Sequence, residues 1–188
     1  AARNVHSPYR KAFGPRGRRW IASVELGVSG DLQRDELLRR IVHFEAERRS
    51  LDAALEKMSA RFPETAALTD IHGIGAYSAL LIVAEIGEPE RFGDARQVGA
   101  YAGLTARVHQ SGSHNYHGHI TRQGSSWLRW VLVQAAIKAV RKDPKLRAFY
   151  ERIRKRSSRH IARVAVARKL AGVCWVRLRR WRREQSAA

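Results

Sequence analysis

Residues 103–130, GLTARVHQSGSHNYHGHITRQGSSWLRW, decide how the chain is read. Apolar helical patterns flank them on both sides. Between lie Gly112, Gly118 and Gly124, the histidines 109, 114, 117 and 119, and several free hydroxyls. So polar a segment cannot supply core, so an ordered version of it is an exposed loop or hairpin. Ala106–His109 and Gly118–Arg122 are expected to pair as two short strands with a mobile tip between them. Ser111 precedes Gly112, a residue free to take positive φ and let backbone approach a ligand closely. Arg107, His109 and Arg122 sit nearby. A hydroxyl among cations suits attack on a phosphodiester, because the cations stabilise charge developing on the phosphoryl oxygens. The same residues also fit a plain Ser-Gly turn in a basic loop. The four histidines have no cysteine nearby and no carboxylate in register, so no metal site is assigned.

Working outward, charge is the strongest compositional signal. The 188 residues hold 36 Lys+Arg and 17 Asp+Glu, a net +19. From Arg141 onward there are 17 basic and 3 acidic residues, so +14 of that charge lies in the last 48. Such a field favours a polyanion, nucleic acid before an anionic membrane surface. No apolar run is long enough to span a bilayer. An apolar fraction of 44% predicts a globular chain. The single cysteine, Cys174, excludes an intrachain disulfide framework and reads as a small buried residue. The opening AARNVHSPYR lacks a Met and suggests a piece of a longer protein.

The predicted fold is mainly α. Residues 1–19 read as a basic arm and 20–62 as a coiled-coil-like helical region. Residues 63–188 read as a compact helical domain interrupted by the small β-like hairpin. Within 31–62, Leu37, Ile41, Phe44, Leu51, Leu55, Met58 and Phe62 recur at steps of four and three, with Arg48 as the gap. That spacing is a coiled-coil seam, met either within one subunit or by a second copy. Ile71-His72-Gly73-Ile74-Gly75 before an apolar helix resembles a helix-hairpin-helix, whose turn and following helix start hold phosphate. The helix over 79–86 is apolar nearly all round and is expected to be buried. Asp94 is read as the cap of a helix over 95–102, and Ser125 or Ser126 as the cap of one over 127–142. The last helix is expected to bury Ile161, Val164, Ala167, Ala171, Trp175 and Leu178.

KAFGPRGRRW (11–20), IHGIGAYSALLIVAEIGEPERF (71–92), YAGLTARVHQSG (101–112), GHITRQGSSWLRW (118–130), LRAFYERIRKR (146–156) and VAVARKLA (164–171) come in a distinctive order. That order resembles the C-terminal portion of a bacterial insertion-sequence transposase family. Its members join an N-terminal RuvC-like domain to a serine-bearing transposase domain, and some use a bridge RNA to choose their DNA. The resemblance implies a recombinase reaction in which the serine attacks DNA and forms a phosphoseryl intermediate. Carried onto this chain, that serine is Ser111, with Ser113 ranked second. Arg107, His109, Arg122 and Arg129 are assigned to phosphate stabilisation or leaving-group protonation. Gly73, Gly75, Arg154, Lys155, Arg156, Arg163, Arg168 and Lys169 are assigned to nucleic-acid binding. The resemblance places divalent metal (Mg) in a RuvC-like domain before this segment and no cofactor in the segment itself. It also implies DNA and a guide RNA as partners, a homo-oligomer through the seam helix, and a bacterial cytoplasmic, nucleoid-associated location. The competing reading is a non-catalytic helix-hairpin-helix binding module.

The charge makes a prediction of its own. DNA affinity should fall at least about tenfold between roughly 50 and 200 mM salt, and removing Trp175–Ala188 should flatten that slope. A salt-independent affinity, measured by anisotropy, would contradict it.

Overall fold

The computed structural model describes residues 5–111 and 114–187, with the backbone alone described over 107–111 and 114–119. The chain is mainly helical, as the sequence predicts. It divides into two compact units, residues 1–54 and 55–188.

In the first unit, α1 (Pro15–Ser23) begins with proline at its first turn, where a missing N–H costs nothing. Arg18 ties this helix to the long α2 (Val28–Ser59). Its Nη1 donates to Glu45 Oε2 at 2.8 Å, and a second, parallel bond joins Nη2 to Oε1. That fork holds the Glu45 carboxyl below its ordinary range. Helix α2 begins three residues earlier than the periodicity predicts and ends at Ser59, because Phe62-Pro63 starts a short 3-10 turn. None of its residues is buried: Leu37, Phe44 and Leu51 are all more than half exposed. Its seam is present and open to solvent.

In the second unit, α3 (Ala66–Thr69) and α4 (Ala76–Ile86) flank the glycine turn. Next come α5 (Ala95–Tyr101), the hairpin strands β1 (Ala106–Ser111) and β2 (His114–Ile120), and then α6 (Ser126–Lys142), α7 (Pro144–Arg156) and α8 (Arg159–Ser186). Four side-chain caps mark helix starts, among them Ser158, which accepts from the Ile161 amide at the start of α8. Asp94 accepts from the amides of Arg96 and Gln97, Ser125 from Leu128, and Asp143 from Lys145 and Leu146. Helix α6 buries Leu128, Val131, Leu132, Ala135, Ala136 and Ala139 against the other helices. The small side chains on this face let backbone come close. Gly73, at φ 97, sits so near α6 that a Cβ there would lie 2.5 Å from the Ala135 carbonyl oxygen.

Several expectations are corrected. Helix α4 is not sealed all round: Ala79, Ile82 and Ile86 are buried, while Tyr77 and Ala84 are exposed. Leu80, Leu81 and Val83 join Leu55, Met58 and Phe62 around an apolar groove of about 300 Å³. Uniform hydrophobicity does not specify which face a helix buries. In α8 the stripe is Ala162, Val166, Ala167, Leu170, Ala171, Cys174, Trp175 and Leu178, and Ile161 is exposed. Ile161 lies in the helix's first turn, one step off the face that meets α5, α6 and α7. Trp175 Nε1 donates to the Pro89 carbonyl at 2.8 Å in the interior. Truncation before Trp175 therefore removes core, and the salt slope is better tested by neutralising exposed arginines such as Arg180 and Arg183. Cys174 is fully buried and its thiol is pushed up to about 12 by that burial.

The turn makes a contrast that unfolding in urea can read. Gly73→Ala combines positive φ with a backbone clash and should cost at least about 2 kcal/mol. Gly75→Ala, at φ −103 with open space around the new methyl, should cost under about 1 kcal/mol. Equal costs would show that the close approach to α6 does not matter.

Candidate nucleic-acid interface

The hairpin carries the candidate nucleophile, and its base is tightly built. The strands run antiparallel, with Ala106 opposite Ile120 and Ser111 opposite His114, and a register shift between Ala106 and Val108. Pairing extends further along both strands than expected, so the histidine-rich stretch is strand rather than a loose tip. Ser111 ends β1, five residues and about 17 Å of strand beyond Ala106. The side chains of Arg107, His109 and Ser111, and those of His114, His117 and His119, lie outside the described residues, as do Gly112 and Ser113 altogether.

Below the strands, two glycines and one arginine fix the crossing. Gly103 has φ 64 and Gly124 φ 103. A Cβ on Gly124 would overlap the Tyr101 carbonyl, and one on Gly103 would meet the Arg129 guanidinium at 2.6 Å. Backbone bonds run from Thr121 N to Thr105 O (2.9 Å), Arg122 N to Gly103 O (3.3 Å) and Ser125 N to Tyr101 O (2.9 Å). Arg129, half-buried in the first turn of α6, donates through Nη1 to Ala102 O (3.1 Å) and Arg122 O (3.3 Å). The structure thus brings Arg122 and Arg129 together at the base, not at the Ser111 end. Arg129 links the end of α5 to the segment leaving β2. Arg122 is exposed and, among the described residues, is the one non-glycine with left-handed φ, at 55°. That conformation costs about 1–2 kcal/mol and is held by the surrounding bonds.

The other assigned residues divide by location. Gly73 is pressed on α6, whereas Gly75 is exposed at the start of α4, whose first-turn amides receive no side-chain cap. At the end of α7, Arg154 pairs with Glu151 at 2.8 Å, and Lys155 and Arg156 are exposed. On α8, Lys169 lies over the Phe149 ring at 4.8 Å, which joins it to α7. The stem of Arg168 covers Gly99 of α5, and Arg163 is half-buried. Among the described residues no three His, Cys, Asp or Glu side chains gather as metal ligands would. No helix among them is long and apolar enough to cross a membrane.

Sequence reasoning missed an exposed aromatic group. Tyr77 of α4 meets Trp130 of α6 edge-on at 6.3 Å, and Trp130 meets Trp127 at 6.4 Å. The two tryptophans were legible only as residues off the apolar stripe; their meeting with Tyr77 depends on how α4 crosses α6.

Residues 65–151, from the turn before α3 to the middle of α7, match the Transposase IS116/IS110/IS902 family. The chain is similar to an IS110 insertion-element protein of 43.6 kDa from Streptomyces coelicolor, with 28% identity over 71% of this chain and 33% of that protein. It is 35% identical to a putative transposase of Sinorhizobium fredii, over 68% of this chain and 34% of the relative. It is 32% identical to the transposase for insertion sequence element IS1111A of Coxiella burnetii, over 58% of this chain and 31% of the relative. The chain is thus similar, over these stretches, to part of proteins described as insertion-element transposases. The chain spans about a third of the length of these relatives.

If Arg129 holds the hairpin base, Arg129→Ala should speed hydrogen exchange at the Thr121 and Arg122 amides, with Arg129→Lys intermediate. Unchanged exchange in both variants would remove that role.

Proposed function

We propose that the chain is the C-terminal, DNA-handling part of a transposase and that Ser111 is its nucleophile. The observation that carries this reading is the family match over residues 65–151, which takes in the whole hairpin and its anchoring helix. In the proposed step the Ser111 hydroxyl oxygen attacks a DNA phosphorus and a P–O bond to one sugar breaks. The serine proton leaves to a base, and the departing sugar oxygen takes up a proton. One phosphoester replaces another, so the bond energy is kept for rejoining to a new strand end. Arg107 and His109, on the same strand as Ser111, are proposed to stabilise the phosphoryl oxygens or protonate the leaving oxygen, whereas Arg122 lies at the hairpin base. Arg129 supports them through the hairpin base and is a positioning residue.

Lys155, Arg156, Arg163 and Arg168, on α7 and α8, are proposed to contact phosphates and set register on DNA. A structured guide RNA is proposed as a further partner. The open seam of α2 is proposed to pair with a second copy, since three large apolar side chains on it are more than half exposed. A divalent metal is proposed to sit on carboxylates of a RuvC-like domain in the longer protein. Bound there, it would polarise phosphoryl oxygens.

Ser111→Ala in the full-length enzyme should abolish covalent protein–DNA adducts trapped by denaturation, while DNA affinity stays within about threefold. Adduct yields equal to wild type would refute the assignment. Loss of binding together with adducts would favour the non-catalytic binding module.

A further inference from the structure

One face of α6 is buried, and the opposite one has an unusual composition. Trp127, Trp130, Gln134, Lys138 and Arg141 recur at steps of three and four, and all five are exposed. They form one stripe about 21 Å long. Trp127 is 60% exposed and Trp130 47%, and Tyr77 of α4, 42% exposed, extends the aromatic end sideways. Large rings left this open give up burial that folding would otherwise use. Helix α6 carries Arg129, Lys138, Arg141 and Lys142 and no carboxylate. The acid that follows it, Asp143, is turned to the first amides of α7. On α4 the one acid, Glu85, lies eight residues beyond Tyr77.

We propose that this stripe binds unpaired nucleotides, with bases stacking on Trp127, Trp130 and Tyr77 while Lys138 and Arg141 track the phosphates. Three observations point to this occupant rather than to a protein. Along α6 the rings pass into an amide and two cations, and only on the Tyr77 side do they adjoin the apolar groove beside α4. The helix offers no negative charge to repel a backbone. The rings meet edge to face, with planes 81° and 85° apart, so they form separate platforms rather than one closed stack. Duplex bases are already stacked on each other, so flat exposed rings favour strands that have been opened. The inference rests on nucleic acid being the partner, as proposed above, and is independent of Ser111.

The test uses the 188-residue chain and three fluorescein-labelled probes of about 12 nucleotides: oligothymidylate, a duplex, and an abasic sugar-phosphate chain. Anisotropy should show wild type binding oligothymidylate at least about tenfold more tightly than the abasic chain. The Trp127→Ala/Trp130→Ala variant should lose about ten- to a hundredfold in affinity for oligothymidylate. Its duplex affinity should change by less than about threefold, and Trp127→Phe/Trp130→Phe should retain most single-strand binding. Both positions are exposed, and circular dichroism checks that the variants fold. Equal loss on duplex and single strand overturns the proposal, as does an abasic chain bound as well as oligothymidylate. A wild-type dimer made monomeric by the alanine pair, with single-strand affinity unchanged, also overturns it and makes the face a protein interface. Absence of duplex binding by wild type would instead count against the DNA-handling reading itself.

Discussion

The second unit depends on how closely backbone can approach α6. Ala135, Ala136 and Ala139 leave that helix with a nearly bare face. Gly73 settles against it where no side chain would fit. Around the same rod, α8 packs its own small residues, Ala167 and Ala171, between Val166, Leu170 and Leu178. Dispersion rises steeply as helices close in, so small side chains on both helices gain contact that larger ones would prevent. The first turn of α6 contributes Arg129 to the hairpin base, and its end runs into the Asp143 cap of α7. One helix therefore sets the positions of the glycine turn, the hairpin and the basic helices together.

Charge follows a different logic from packing. Several acidic side chains of this unit face arginines: Asp70 meets Arg177, Glu90 meets Arg182, Glu151 meets Arg154 and Glu184 meets Arg180, while Asp94 and Asp143 cap helices. Exposed pairs of this kind add little stability. Their effect is rather to occupy carboxylates that would otherwise compete for the remaining cations. Cation–π contacts, such as Lys169 over Phe149, orient some of those cations without neutralising them. A surface arranged in this way stays strongly positive wherever pairing runs out, which is the condition for attracting a polyanion from a distance.

Much of this was legible in the residues. The caps Asp94 and Ser125, the apolar face of α6 and the pairing of the two strands follow from local rules that tertiary context did not override. The open seam of α2 was legible as a pattern, whereas its exposure was not, since a heptad specifies a face and not an occupant. The groove beside α4 was hidden because a helix apolar all round gives no periodicity from which to choose a side. The bonds of Arg129 at the hairpin base were hidden for a related reason. Sequence shows a cation near a candidate nucleophile, but only the crossing at Gly103 and Gly124 shows the carbonyls its Nη1 reaches. Trp175 carried no sign of its bond to Pro89, eighty-six positions away in the chain.

The crossing below β1 and β2 has a consequence for how such a protein can vary. Among the described residues, the hydrogen bonds that anchor the two strands to the helices lie between residues 99 and 129 at the near end. Residues added or removed in matched pairs at the opposite end would disturb none of them. The arm can therefore lengthen or shorten over generations while the helical body stays the same, so its reach is free to track the width of whatever it must span.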